Sequence, residues 1–261
     1  MSIQPQAWTG EFELSGSLLW TCPNCAAAKL RVKTGTLADG ETRASKDSHS
    51  HDGWEPEWIA GRFSCLLECP HCSTDIGLAG TYTVRDERGY SEGEEVGEYV
   101  KYYKPGYFTE APRIIDLPED TPDAVSSEVA KSFQLFWSDP LACANRIRVA
   151  IELLLTAQRV NRSVGGPRSG KPRKMLSLHR RIELFAERKS QLAEKLMAIK
   201  WIGNAGSHAD VVEEGDLLDA YDILCFVLDE LYVDRSKRIG ALARAINRRE
   251  APRSKRRGPS R

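Results

Sequence analysis

Two short cysteine motifs constrain the fold of this chain more than any other feature. Cys-Pro-Asn-Cys at 22–25 and Cys-Pro-His-Cys at 69–72 each place two thiols two residues apart, and the proline presets φ for a tight turn. Two such pairs can surround one ion with four sulfur atoms, a donor set that suits Zn²⁺. Such a closed shell leaves no position for water or substrate, so the sequence predicts one structural zinc ion. Its predicted ligands are Cys22, Cys25, Cys69 and Cys72.

The residues around the two motifs predict β-structure. Residues 28–33 alternate apolar and polar side chains, and 59–68 form a second apolar stretch leading into the second motif. Residues 76–85 and 96–103 predict a hairpin joined through an acidic turn region. The stretch 35–57 is rich in Gly, Ser, Asp and Thr and is predicted to be an inserted loop. Short strands around a metal site are typical of a zinc ribbon.

After residue 122 the pattern changes from strands to helices. Asp139 and Pro140 supply an N-cap and an N1 proline for a helix that is predicted to end near Val160. Apolar residues at helical spacing predict four more helices, at about 176–187, at 192–202 with Gly203 ending it, at 217–231, and from about Ser236. The Gly- and Arg-rich stretch 161–174 is predicted to be a loop.

These patterns predict an α+β protein with a β-rich zinc ribbon followed by an all-α bundle. The predicted division is a zinc-ribbon domain at 1–111, a linker at 112–121, a helical bundle at 122–234, and a basic helix and tail at 235–261.

The positive charge of the chain is concentrated in two segments. Lys+Arg and Asp+Glu both number 37, yet residues 235–261 carry eleven basic side chains and one acid, and residues 159–181 carry eight and none. Blocks of this kind commonly contact phosphate backbones. A solvated loop and a solubilising tail are the alternative interpretation. The predicted nucleic-acid contacts are Arg168, Lys171, Arg173, Lys174, Arg180 and Arg181.

The segment Gly-Asn-Ala-Gly-Ser-His at 203–208 holds the candidate catalytic residues. An imidazole titrates near neutral pH, so His208 can act as a general acid or base. Asn204 lies four residues before it, and Lys200 one turn earlier can face an anionic phosphate. In the alternative interpretation Gly203 and Asn204 stop a helix, and His208 caps or packs.

Three stretches carry a resemblance to a known family: 107–154, 176–184 and 199–208, the last with a Gly-Asn-x-x-x-His element. In them the chain resembles an uncharacterised bacterial domain family of the HEPN superfamily, whose members often carry a CxxC ribbon in front. The resemblance implies a bundle of four or five helices, often dimeric. It also implies that the protein is encoded beside restriction, toxin–antitoxin or phage-defence genes.

The resemblance also implies a function. Many members of the superfamily look like metal-independent ribonucleases with an Arg-x₄₋₆-His motif. Here Trp201, Ile202 and Gly203 occupy the positions of that arginine, so only His208 and Asn204 carry over. We expect nucleic-acid binding, with RNA favoured, in defence or stress. If the chain cleaves RNA, His208 is the acid or base, Asn204 orients the phosphate and Lys200 neutralises charge. The alternative is a non-catalytic interaction module that partners a nuclease or an ATPase encoded nearby.

The sequence favours a cytoplasmic location. Its first residues, MSIQPQAWTGEFELSG, lack the basic and apolar regions of a signal peptide. The apolar stretches are too short to cross a bilayer, so we expect no membrane partner. Without export, paired CxxC motifs indicate metal binding rather than disulfides.

Overall fold

Six antiparallel strands form the N-terminal part of the computed structural model, which describes residues 3, 5–14, 17–91, 94–166, 171–205, 211–233 and 235–248. They are β1 (Ser17–Thr21), β2 (Lys29–Val32), β3 (Ala38–Glu41), β4 (Ala60–Glu68), β5 (Asp75–Ser91) and β6 (Glu94–Phe108). The strand order is β1-β2-β4-β5-β6. Strand β3 pairs with β4 along the same edge as β2, but with a different part of that edge. The β-rich character predicted for this part is confirmed.

Strand β4 shows why this sheet forms. Buried and exposed residues alternate along it, so that Phe63, Cys65 and Leu67 face the core while their neighbours face solvent. It pairs with β5 from Glu68↔Asp75 to Ala60↔Thr83. One face of the sheet is therefore apolar and needs a covering layer.

Strands β5 and β6 continue beyond the end of β4. Their pairing runs from Leu78↔Phe108 out to Ser91↔Glu94, well past the last β4–β5 pair at Ala60↔Thr83. The predicted hairpin is confirmed, but the predicted turn region 86–95 is mostly strand, since cross-strand backbone pairing continues through these acidic residues.

The predicted inserted loop at 35–57 contains regular structure. Strand β3 pairs with β4 from Ala38↔Ser64 to Glu41↔Gly61, and helix α1 follows at Arg43–Ser48. The Thr42 hydroxyl accepts a hydrogen bond from the Ser45 amide at 3.2 Å and caps this helix. The loop prediction was wrong here because a short polar strand can be held by backbone pairing alone.

The helices follow the sheet in sequence. They are α2 (Asp123–Leu135), α3 (Pro140–Ala157), α4 (Leu178–Ala205), α5 (Glu214–Tyr232) and α6 (Arg235–Asn247). The predicted cap of α3 is confirmed, since an Asp139 carboxylate oxygen accepts from the Ala142 amide at 2.9 Å. Lys189 has non-helical angles (φ −144, ψ 67) and kinks α4 between the two helices predicted at 176–187 and 192–202.

The prediction of an all-α, HEPN-like bundle is wrong. Two strands, β7 (Ser163–Gly166) and β8 (Lys171–Met175), pair antiparallel between α3 and α4, in the stretch predicted to be a loop. The fold of this part is mixed, helices with one two-stranded sheet. The basic and glycine-rich sequence of β7 and β8 has no alternation of apolar residues, so its pattern does not indicate strands. The pair is defined by backbone hydrogen bonds instead.

Residues of the sheet and residues of the helical part contact one another within one hydrophobic core. Trp137, just after α2, is central to this contact. Its ring centroid lies 4.8 Å from that of Phe108 and 5.8 Å from that of Trp20. Its indole N–H donates to the Trp8 carbonyl oxygen at 3.1 Å. Both cysteine motifs lie on the sheet, and the basic strands lie among the helices.

Within the described residues, no helix combines the length and the apolar character needed to cross a membrane.

Candidate metal centre and basic surface

The sheet brings the two cysteine motifs together at one end. Strand β1 leads directly into Cys22 and β4 leads directly into Cys69. Because β2, which follows the first motif, pairs with β4 at Arg31↔Glu68, the two turns emerge side by side. A spacing of 43 residues between the motifs is therefore closed by strand pairing.

The two turns have the same backbone geometry. The amide of Ala26 donates to the Cys22 carbonyl oxygen at 3.0 Å, and the amide of Ser73 donates to the Cys69 carbonyl oxygen at 2.9 Å. Ala26 and Ser73 both adopt left-handed backbone angles, with φ of 53° and 56°. These strained positions follow the second cysteine of each motif, and since neither is glycine the sequence gives no sign of them.

The four sulfur atoms form a compact cluster. All lie within 4.8 Å of one another, with Sγ–Sγ distances of 3.7 Å for Cys22 and Cys72 and 3.6 Å for Cys25 and Cys69. A disulfide needs about 2.05 Å. Four thiolates at about 2.3 Å from a central ion stand about 3.8 Å apart in a tetrahedron. The predicted ligands are therefore placed so that they can hold a metal ion.

Two thiols of this cluster have pKa values that are shifted in opposite directions. Burial raises the pKa of Cys22 to about 11. The side-chain hydrogen bond with Thr74 lowers the pKa of Cys72 to about 6, and the two atoms, Sγ and Oγ1, lie 3.2 Å apart. The Asn24 amide nitrogen also donates to Cys72 Sγ at 3.6 Å. Groups of this kind around a ligand orient it and favour its thiolate form.

Cys65, four residues before Cys69, is not part of the cluster. Its side chain is buried in the core on β4, and this burial raises the pKa of its thiol to about 11. It is a packed thiol close in sequence to the four-cysteine cluster, which makes it useful as a control.

Strands β7 and β8, here called the basic β-pair, carry exposed cations. Arg173 and Lys174 on β8 and Arg162 just before β7 are all exposed. The Arg173 Nε donates to the Ser163 hydroxyl at 2.9 Å, which is a neutral partner. No described carboxylate forms an ion pair with these three cations. Their charge is therefore free to meet an external anion.

The remaining predicted nucleic-acid contacts are placed differently. Arg168 lies outside the described residues, and Lys171 begins β8 with a side chain that is also outside them. Arg180 forms an ion pair with Glu183 at 2.8 Å, and this hydrogen bond raises its pKa.

Arg181 serves the core of the fold. Only 4% of it is exposed, and burial lowers the pKa of its guanidinium. It donates to the Glu152 carbonyl oxygen at 3.0 Å and to the Thr156 hydroxyl at 2.8 Å, at the end of α3. Arg181 thus connects α4 to α3 by hydrogen bonds, and its guanidinium does not reach the surface.

The candidate catalytic residues lie at the end of α4 and beyond it. Lys200 is 7% exposed and its Nζ lies 3.4 Å from the centroid of the Trp201 ring, a cation–π contact. The Asn204 backbone is helical but its side chain is outside the described residues, as is the whole of His208. Helix α4 continues through Gly203 to Ala205, so the prediction that Gly203 ends the helix is wrong. A Cβ at Gly203 would lie 3.3 Å from Arg148 Cβ, so the glycine serves close packing on α3.

Two regions of the chain match families known from sequence. Residues 10–108 are similar to a domain of unknown function (DUF8608), and residues 130–249 are similar to another domain of unknown function (DUF4145). The first region contains both cysteine motifs and ends at the last residue of β6, and the second contains the basic β-pair. No curated protein and no solved structure matches the chain.

Proposed function

We propose that this chain is a zinc-stabilised nucleic-acid-binding protein that contacts phosphates through the basic β-pair. RNA is the predicted class of nucleic acid. The observation that carries the proposal is the set of exposed cations on and beside β7 and β8 that have no carboxylate partner among the described residues.

The identity of the ion follows from its donors. Four thiolates within 4.8 Å of one another favour Zn²⁺ over hard cations such as Mg²⁺ and Ca²⁺, which prefer oxygen ligands. All four ligands come from the protein, so the ion has a structural role and holds the ends of β1, β2, β4 and β5 together.

The cations of the basic β-pair differ from those of the sheet named below in having no carboxylate partner among the described residues. On the sheet, Arg31 pairs with Glu68 at 2.8 Å and Lys101 pairs with Asp39 at 2.8 Å. Cations neutralised in this way add little attraction for a polyanion. On the basic β-pair, in contrast, Arg173 and Lys174 keep their full charge, and binding a phosphate releases counterions from the nucleic acid.

The exposed apolar side chains on the same strands support a binding surface. Val164 is 48% exposed on β7, and Met175 is 59% exposed at the end of β8. A two-stranded antiparallel pair with cations and exposed apolar groups can lie along a nucleic-acid groove or a single strand.

The test compares two double variants that lose one arginine and one lysine each. Arg173→Gln/Lys174→Gln changes the basic β-pair, and Arg43→Gln/Lys46→Gln changes exposed residues on α1. Binding to a fluorescent single-stranded RNA, and to DNA of the same sequence, is measured from low to moderate salt. The first variant should lose roughly ten-fold in affinity and show a salt slope smaller by about 1.4, which is about 0.7 for each of the two cations removed.

The α1 variant should bind within about two-fold of the wild type, because its positions lie outside the proposed surface. Equal losses in both variants would mean that only net charge matters. That result, or affinity independent of salt, would overturn the proposed surface. Tighter binding of the DNA than of the RNA would overturn the predicted ligand class.

A further inference from the structure

Helix α4 folds back on itself at its kink. Lys189 separates a first arm, 178–188, from a second arm, 190–205. The ring centroid of His179 on the first arm lies 6.3 Å from that of Trp201 on the second. On an unbroken helix these two residues would stand about 33 Å apart, at a rise of 1.5 Å per residue. The kink therefore brings the two ends of α4 together.

Trp201 has one covered face and one accessible face at this point. The Lys200 ammonium nitrogen lies 3.4 Å from the centroid of the Trp201 ring and so covers one face of it. Even so, 58% of Trp201 is exposed. The exposed surface therefore lies on the opposite face and the edges of the indole, where another flat ring can stack.

Trp201 borders an apolar groove of about 510 Å³ between the two arms. The apolar lining of this groove includes Ile182, Ala186, Ala193 and Met197. Its carboxylates belong to Glu183, which pairs with Arg180 at 2.8 Å, and to Glu194. Carboxylates disfavour a phosphate beside them, whereas a base is uncharged and its amino groups can donate to them. The groove therefore suits a base rather than a phosphate.

The basic β-pair ends close to Trp201. Strand β8 ends at Met175, and His179, which contacts the Trp201 ring, follows four residues later. Four residues of chain span at most about 14 Å. Arg173 and Lys174 are exposed on that strand. A short single strand of RNA can therefore place its phosphates on these cations and a base against the indole.

We propose that Trp201 stacks on an unpaired base of single-stranded RNA whose neighbouring phosphates contact the basic β-pair. Aromatic side chains hold single strands of any sequence in this way, since every base has a π-face. A duplex keeps its bases stacked on one another, so it cannot use this contact. Stacking at Trp201 rests on the proposed function and narrows the ligand to unpaired RNA.

The test measures the affinity of the full chain for a labelled single-stranded RNA and for the same strand in a duplex, from low to moderate salt. Trp201→Ala should lose about five-fold or more in affinity for the single strand. Its salt slope should stay that of the wild type, because a stacked base releases no counterions. Its affinity for the duplex should stay within about two-fold of the wild type.

Two further variants serve as controls. Trp201→Phe keeps an aromatic face beside Lys200 and should bind the single strand within about three-fold of the wild type. Trp58→Ala removes an indole that is 46% exposed just before β4, outside the proposed surface, and should leave the affinity unchanged.

The outcomes separate the stacking contact from the proposed function. If the wild type binds no RNA, or if Arg173→Gln/Lys174→Gln leaves the salt slope unchanged, the proposed function fails and the stacking contact fails with it. If that salt dependence is present but Trp201→Ala binds the single strand as tightly as the wild type, only the stacking contact is overturned. Equal losses for the single strand and the duplex, or a Trp201→Phe variant as weak as Trp201→Ala, also overturn it.

Discussion

At the scale of single residues, the four sulfur ligands lie in unequal surroundings. Cys22 is buried and its pKa is raised to about 11, whereas the hydrogen bond with Thr74 lowers the pKa of Cys72 to about 6. A bound dication favours the thiolate form of every ligand, so the thiol of Cys22 must lose its proton when the ion binds.

We predict that Cys69→Ser removes the metal ion and destabilises the sheet. Cys69 lies at the end of β4 with 2% of its surface exposed, so three thiols and a poor donor would remain around the site. Metal analysis should find about one zinc per wild-type chain and far less in the variant, and thermal unfolding should shift down by several degrees.

The matched control for this variant is Cys65→Ala. It removes a buried thiol four residues earlier on the same strand but leaves all four ligands. We expect it to retain a full equivalent of zinc with a loss of about 1 kcal/mol in the free energy of unfolding. If Cys65→Ala loses as much zinc as Cys69→Ser, the assignment of ligands is wrong.

At the scale of elements, the sequence predicts most helices and few of the short strands. Apolar residues at helical spacing mark α3 and α5, because each of these helices buries one face. Helix α6 has the same spacing, although Ile239, Leu242 and Ile246 are exposed on it. Strands β7 and β8 carry no apolar alternation, since most of their described side chains are exposed and the strands are held by backbone pairing. A sequence pattern can indicate only elements whose apolar and polar side chains are sorted onto separate faces.

The irregular pairing of β5 and β6 depends on a glycine. The register shifts between Ala79 and Gly80, and a Cβ at Gly80 would overlap the Lys104 carbonyl oxygen and lie 2.8 Å from Phe63 Cε1. Gly80→Ala should therefore cost about 1–3 kcal/mol in the free energy of unfolding, measured by urea denaturation.

Gly40→Ala makes the same change in strand β3, where nothing lies within 4 Å of the added methyl group. We expect a change within about 0.5 kcal/mol for this control. Similar costs for both variants would show that loss of glycine alone, rather than the close approach of β6, explains the effect.

At the scale of the whole molecule, the sheet and the helices share one hydrophobic core. The Cys₄ cluster was predictable because the residue type and the spacing of its members can be read directly from the sequence. The contact of Trp137 with Trp8 and Trp20 was not, since it joins residues more than a hundred positions apart that follow no local period. Which apolar faces meet depends on the shapes of the assembled layers, and single-sequence patterns do not contain that information.

The shared core predicts that the two halves of the chain unfold together, and Trp137→Ala tests this coupling. The substitution removes a ring packed on Phe108 at 4.8 Å and the hydrogen bond to Trp8, so it should cost about 3–5 kcal/mol. In the wild type, loss of helical circular dichroism and release of zinc to a colorimetric chelator should follow one thermal transition. In the variant the two signals should separate, because the zinc ion still stabilises the sheet while the helices lose their contact with it.

Trp58→Ala, at a residue that is 46% exposed and outside this contact, should keep the two signals coincident. Coincident transitions in Trp137→Ala would show that the halves are coupled through other contacts, and separate transitions in the wild type would show that the shared core does not join them.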